Sequence, residues 1–166
     1  MPPTILKATP AHAPSIKAIV TAAYTKYIPR IGKPPAPMLA DYDELLDLGF
    51  HEIYVLTDAA TSLGPSPSSD PNAVLGSIIL GTDDKSDSME INNLVVDPAA
   101  QGRGYGRLLM DFAEEKAREQ GKKAVMLFTN VKMHENLGLY VRLGFVETGR
   151  REESGYERVF FRKGLD

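Results

Sequence analysis

The stretch Gln101-Gly102-Arg103-Gly104-Tyr105-Gly106 constrains this chain more than any other. It lies between an apolar run, Ile91-Asn92-Asn93-Leu94-Val95-Val96, that reads as a strand, and a run with helical apolar spacing. Glycines at 102, 104 and 106 permit a tight turn and a close approach of the backbone to a ligand. The helix that follows offers unpaired N–H groups and the positive end of its dipole. Strand, glycine loop and helix N-terminus in this order make a cradle for a diphosphate.

The glycine spacing narrows the choice of diphosphate. A dinucleotide fingerprint needs G-x-G-x-x-G, but the third glycine would fall on Arg107 or Leu109. No Lys-Ser or Lys-Thr follows the glycines, so the P-loop pattern fails as well. What remains is Q-x-x-G-x-G after a strand ending in Val96-Asp97-Pro98. This resembles the acetyl-CoA signature of the GNAT superfamily of N-acetyltransferases.

Bulk properties exclude several other classes. With 166 residues, 43% hydrophobic and 25% charged, the chain suits a single domain over 1–166 with a real core. A net charge of -3 opposes nucleic-acid binding, which calls for a basic face. No apolar run approaches a membrane span, and the N-terminus lacks the basic and apolar regions of a signal peptide, so a cytoplasmic location is expected. Cysteine is absent, which removes disulfides, thiolate metal sites and a cysteine nucleophile. His12, His51 and His134 are scattered without metal-ligand spacing, and no metal is expected.

The order of elements is β-α-α-β-β-β-α-β-α-β-β. Thr4 to Ala8 reads as the first strand. A helix with apolar Ile16, Ile19, Val20, Ala23 and Tyr27 follows and is expected to end at Pro29. A second helix runs near Leu39 to Leu48, closed by Gly49. Strands at His51 to Thr57 and Val74 to Leu80 flank residues 59–72, whose Ser, Pro, Gly and Asp content predicts a flexible hairpin insertion. Ser88 to Val96 leads into the glycine loop, and the helix after it places Leu108, Leu109, Phe112, Ala113 and Ala117 on one face. Ala124 to Phe128 reads as a buried central strand, Asn136 to Leu143 as a short helix, and Phe145 to Phe161 as a closing hairpin. The fold class is α/β: a mixed, mostly antiparallel sheet with helices on both faces. That order is also the GNAT order, so the resemblance covers nearly the whole chain.

A second motif strengthens the resemblance. Asn136-x-x-x-Tyr140-x-x-x-Gly144-Phe145 reads as a helix stopped by a left-handed glycine, with Phe145 packing back. It looks like the GNAT segment N-x-x-x-Y-x-x-x-G-F. The resemblance implies that Asn136 hydrogen-bonds the pantetheine arm and that Tyr140 faces the thioester sulfur, four residues on along the same helix face. A tyrosine there can donate a proton as the C–S bond breaks. The resemblance likewise implies an oxyanion donor from the backbone around Leu94, Val95 and Val96, and a V-shaped slot between that strand and the one at 125–128. Gln101, Gly102, Arg103, Gly104, Tyr105, Gly106 and Arg107 complete the expected acetyl-CoA site, the two arginines flanking the phosphates.

An amine acceptor, with a pKa of about 10, must lose a proton to attack. Glu90 is the candidate base, its offset from the loop resembling that of histone-type GNAT members; on a regular strand it shares a face with Asn92. Relatives also deprotonate acceptors through water or backbone carbonyls. The resemblance implies an acceptor pocket between residues 24–38 and the final hairpin. There Tyr24, Tyr27 and Tyr42, with Arg30 and several prolines, suggest a rigid aromatic wall. Tyr27, Arg30, Met38 and Asn92 are the substrate-binding candidates. Arg30 could clamp a carboxylate, or be solvated, or pair with Asp41 or Asp43. The acidic run Asp41, Asp43, Glu44, Asp47 is a solvated helix face or an attractor of polyamines and basic peptides.

The leading expectation is an acetyl-CoA-dependent N-acetyltransferase of a small-molecule primary amine, by direct attack in a ternary complex. A protein or peptide N-acetyltransferase and a catalytically silent acyl-CoA sensor are the alternatives. A monomer or homodimer is expected, without nucleic-acid or membrane partners.

Overall fold

The computed structural model describes residues 3–48, 52–57, 74–82 and 85–165. Gly49, His51 and the expected insertion at 59–72 lie outside the described residues. The strands are β1 (Thr4–Lys7), β2 (Glu52–Thr57), β3 (Gly76–Gly81), β4 (Ser88–Val96), β5 (Ala124–Asn130), β6 (Val146–Glu153) and β7 (Tyr156–Gly164). They join in one sheet in the order β1-β2-β3-β4-β5-β7-β6. The helices are α1 (Ala13–Tyr24), α2 (Ile28–Ile31), α3 (Tyr42–Leu48), α4 (Tyr105–Glu119) and α5 (His134–Arg142). The β4–β5 pair is parallel, joined by the crossover through α4, and the other neighbouring strands run antiparallel. Among the described residues, no helix is long and apolar enough to cross a membrane.

Both faces of the sheet are covered, as the sequence predicts. Ile16, Ile19 and Val20 of α1 pack on Ile53, Val55, Ile79 and Val95. Leu109, Met110, Ala113 and Ala117 of α4 pack on Leu56, Ile78, Leu80, Met89 and Val125. The α4 stripe is turned slightly from the expected one. Leu108 is exposed, and Glu114 is buried where it meets Lys163 at 3.0 Å. Holding a carboxylate there requires that partner, because an unpaired buried charge is costly.

The first helix also differs from expectation. It ends at Tyr24, and Thr25–Tyr27 forms a tighter 3-10 turn. Pro29 ends nothing: it occupies the first turn of α2, where its missing N–H is not needed, and Gly32 stops that helix at φ 88°.

One irregularity positions the site. β2 and β3 alternate faces residue by residue, but β4 does not. Met89 and Ile91 face α4, whereas Val95 faces α1. A two-residue period would keep all three together. Leu80 pairs with Ile91 and Ile79 with Asn93, so Asn92 is an extra residue, a β-bulge. Beyond it the strands part. β4 pairs with β5 from Ser88↔Ala124 to Ile91↔Leu127, and no further.

Candidate active site

The parting of β4 from β5 opens a small cavity of about 70 Å³, walled by Ile91–Leu94 on one side and Leu127–Asn130 on the other. A larger cavity of about 460 Å³ runs from this point along the start of α4. Tyr24, Leu94, Asn136 and Tyr140 line both, so they form the junction between the two.

The larger cavity is floored by backbone. Val96 leads into Asp97, whose carboxylate accepts from Ala99 N–H at 3.0 Å and fixes the turn. Gly102 and Gly104 hold φ of 84° and 81°, a left-handed conformation that costs an L-residue about 1–2 kcal/mol. Gly104 is the N-cap of α4, and its carbonyl receives Leu108 N–H at 3.1 Å. A Cβ on either glycine would meet no protein atom within 4 Å, so the space above the loop is open to a ligand. Of the residues expected at the acetyl-CoA site, Leu94, Val95, Val96, Gln101, Gly102, Gly104, Tyr105, Gly106, Arg107, Asn136 and Tyr140 line this cavity. Arg103 is exposed beside it and does not.

Tyr140 is positioned by the end of α5. Phe145 N–H bonds the Tyr140 carbonyl at 3.0 Å and Gly144 N–H that of Val141 at 3.1 Å, the paired bonds of a Schellman cap. The cap requires φ 97° at Gly144 and sends Phe145 back into the core. There the Phe145 and Phe161 rings lie 5.9 and 5.7 Å from the Tyr140 ring and fix its direction. Burial pushes the Tyr140 pKa up to about 12. The hydroxyls of Tyr24, Tyr27, Tyr42 and Tyr156 each donate a hydrogen bond, to Asn93 Oδ1, Glu135, and the Pro37 and Pro34 carbonyls respectively. Among the described residues no such bond ties the Tyr140 hydroxyl, which therefore keeps its proton available to the junction.

Tyr24 takes a more central place than a pocket wall. It closes α1, four residues after buried Val20, and its hydroxyl donates to Asn93 Oδ1 at 3.0 Å. Burial raises its pKa, and the nearby Tyr140 adds to the rise. The bulge makes this contact possible by turning Asn93 toward α1. Two consecutive asparagines in an apolar strand were the sequence signal for that bulge.

The remaining candidates divide. Tyr27 lines the larger cavity and Asn92 the smaller. Arg30 is engaged: it meets Glu135 with two bonds, Nη2 to Oε1 at 2.8 Å and Nη1 to Oε2 at 2.9 Å, and lies over the Tyr27 ring. Its partner is neither Asp41 nor Asp43. Arg30 in turn holds the Glu135 carboxyl down at about 2. Met38 packs against the α1 core, away from both cavities. Glu90 is partly buried and lines neither cavity. It pairs across the sheet with Gly81, where a Cβ would stand 2.8 Å from Asn92 Nδ2. Asn92 thus leans over the position opposite Glu90.

Residues 31–145 match the sequence model of the acetyltransferase (GNAT) family. The chain belongs to this family. An uncharacterized N-acetyltransferase of Methanocaldococcus jannaschii is 38% identical over 64 residues, 39% of this chain and 28% of that protein. The aminoalkylphosphonate N-acetyltransferase of Salmonella typhimurium is 37% identical over 59 residues, 36% of this chain and 38% of that protein. The matched stretches span less than half the length of these two curated relatives. The PaiA N-acetyltransferase of Thermoplasma acidophilum, solved with coenzyme A, superposes with a TM-score of 0.71 at 12% identity, covering 99% of this chain and 100% of that one. In this GNAT chain the glycine loop and the Asn136–Tyr140 face of α5 line one cavity. Three contributors were not among the sequence candidates: Asn93, Glu135 and Arg158. Glu135 stands in the first turn of α5, and Arg158 on β7 reaches the smaller cavity. No motif marks either, because each acts across the fold.

Proposed function

We propose that this protein is an acetyl-CoA-dependent N-acetyltransferase of a small-molecule primary amine, working by direct attack in a ternary complex. The observation that carries the reading is the junction: a phosphate-type cradle and a second, smaller cavity meet at Tyr24, Leu94, Asn136 and Tyr140. The cradle fits coenzyme A. Its glycines leave backbone N–H groups open at a helix N-terminus, and Arg107 stands beside them. Acetyl-CoA supplies an acetyl group already activated as a thioester.

The residues divide the remaining work. Gly102 to Gly106 hold the diphosphate, and Asn136 holds the pantetheine arm at the junction. β4 beyond the bulge presents one edge to the slot, so backbone N–H groups around Leu94 to Val96 are aimed where negative charge develops. Tyr140 donates its proton to the departing thiolate, and a pKa of about 12 keeps it protonated at neutral pH. Glu90 accepts the acceptor's proton at one remove, through water ordered by Asn92. With no cysteine in the chain, no cysteine-bound acetyl group forms.

The small cavity supports a small acceptor. Its wall at Pro35–Pro37 is tied to the β6–β7 hairpin by Tyr156 hydroxyl to Pro34 carbonyl and Lys33 Nζ to Gly155 carbonyl, both 2.7 Å. The test is release of free CoA from acetyl-CoA with pooled amines, amino acids and basic peptides, followed with a thiol reagent. Release with a small-amine pool is expected. Release with peptides alone would replace the acceptor class, and binding of acetyl-CoA without any release would replace the transferase by a sensor.

A further inference from the structure

We propose that Arg158 is the acceptor-selecting residue and that the acceptor carries an anionic group near its amine. The inference deepens the transferase reading and rests on it. Arg158 lines the small cavity together with Tyr24, Asn92 and Tyr140. It is half-buried, and among the described residues it meets no carboxylate. Its guanidinium lies instead over Phe128, 4.3 Å from the ring centre. The neighbouring cations are already committed: Arg30 to Glu135, Arg151 to Glu153, Arg162 to Asp87.

The surroundings favour an anion. Arg151 stands directly opposite Arg158 on β6, a like-charge cross-strand pair, which is unfavourable. Lys33 adds a third positive charge, lying 4.2 Å over the Tyr156 ring that also lines the cavity. In a chain of net charge -3, Arg158 thus brings positive charge to the cavity that Tyr24 and Tyr140 also line, with Arg151 and Lys33 near it. A carboxylate or phosphonate placed on the Arg158 fork directs the amine of the same molecule toward that junction. Arg158 relieves its own unpaired charge by binding, and its planar fork suits a two-oxygen anion.

Calorimetric titration of the protein saturated with CoA tests this without requiring turnover. The probes are β-alanine, methionine and phenylalanine, each as acid and as carboxamide, with 2-aminoethylphosphonate to tell phosphonate from carboxylate. At least one acid should bind about tenfold or more tightly than its amide, as expected of charge-assisted bonds. Arg158→Gln should abolish that difference, and Arg158→Lys, which keeps the charge but loses the fork, should keep only part of it, with thermal melts confirming that both variants fold. Equal binding of acids and amides, a preference that survives Arg158→Gln, or no binding of any acid overturns the proposal. Turnover of neutral amines without an acid preference overturns it while leaving the transferase reading in place. An acid preference without CoA release under acetyl-CoA does the reverse.

Discussion

The two cavities that meet at Tyr140 are built by different means. The larger has a floor of backbone, with two left-handed glycines, a helix N-terminus and a strand edge within residues 94–107, and side chains of α1 and α5 complete it. The smaller is made of side chains from α1, the proline strap, β4, β5, α5 and β7, brought together by the bulge at Asn92. A backbone cradle tolerates changes in side chain and demands glycine. A side-chain pocket demands particular residues and tolerates backbone drift. On the proposed reading, cosubstrate binding and choice of acceptor are therefore separable, with Tyr140 among the four residues shared by the two cavities.

The largest effect should come from the shared residue. Tyr140→Phe leaves the ring between Phe145 and Phe161 and removes the proton donor. Its kcat should fall about a hundredfold or more while acetyl-CoA affinity, by calorimetry, stays as it was. The proton should remain on Tyr140 to about pH 12, so wild-type kcat/KM should show no falling alkaline limb from this group below about pH 11.

On the cradle side, Gly104→Val forces a branched residue into φ 81°. Acetyl-CoA should bind roughly five- to thirtyfold more weakly, the equivalent of about 1–2 kcal/mol, with kcat at saturation preserved. On the acceptor side, Glu90→Gln should lower kcat/KM at neutral pH by about tenfold, and the loss should vanish as pH approaches the acceptor's own pKa of about 10. An unchanged pH–rate profile would remove Glu90 from the mechanism.

The smallest effect belongs to the Arg30–Glu135 pair beside the larger cavity. Arg30 and Glu135 are half exposed, so Glu135→Gln should move the Tm by no more than a few degrees. The sign with pH is fixed. Glu135 titrates at about 2 when folded, against an ordinary 4.5, so its contribution is full above pH 4.5 and fades as pH falls toward 2. The Tm gap between wild type and Glu135→Gln should be constant above about pH 5 and close near pH 2.

The cradle was legible in the sequence because its information is local. Gln101 to Arg107 is contiguous, and Asn136, Tyr140, Gly144 and Phe145 share one helix and its cap. The order of elements along the chain was legible in its runs of apolar residues. What escaped was non-local. The Arg30–Glu135 pair spans 105 residues, and the two partners sit on elements with no shared pattern. Arg158 is one of several charges on the β6–β7 hairpin, and no motif marks it. Met38 carried the right chemistry for a pocket wall, but the 3-10 turn at Ala36–Leu39 directs it to the core instead. Pro29 was misjudged because a helix-breaking residue also starts helices, and only the 3-10 turn before it decides which.

In the proposed mechanism, cosubstrate binding and chemistry reside in different structures that meet where Tyr140 stands. A double-mutant cycle on Gly104→Val and Tyr140→Phe, reading acetyl-CoA affinity and amine-dependent CoA release in all four proteins, tests it most directly. Affinity should follow position 104 alone, kcat should follow position 140 alone, and the effects should add within about 0.5 kcal/mol. Tyr140→Phe losing acetyl-CoA affinity, or releasing CoA at the wild-type rate, would contradict it.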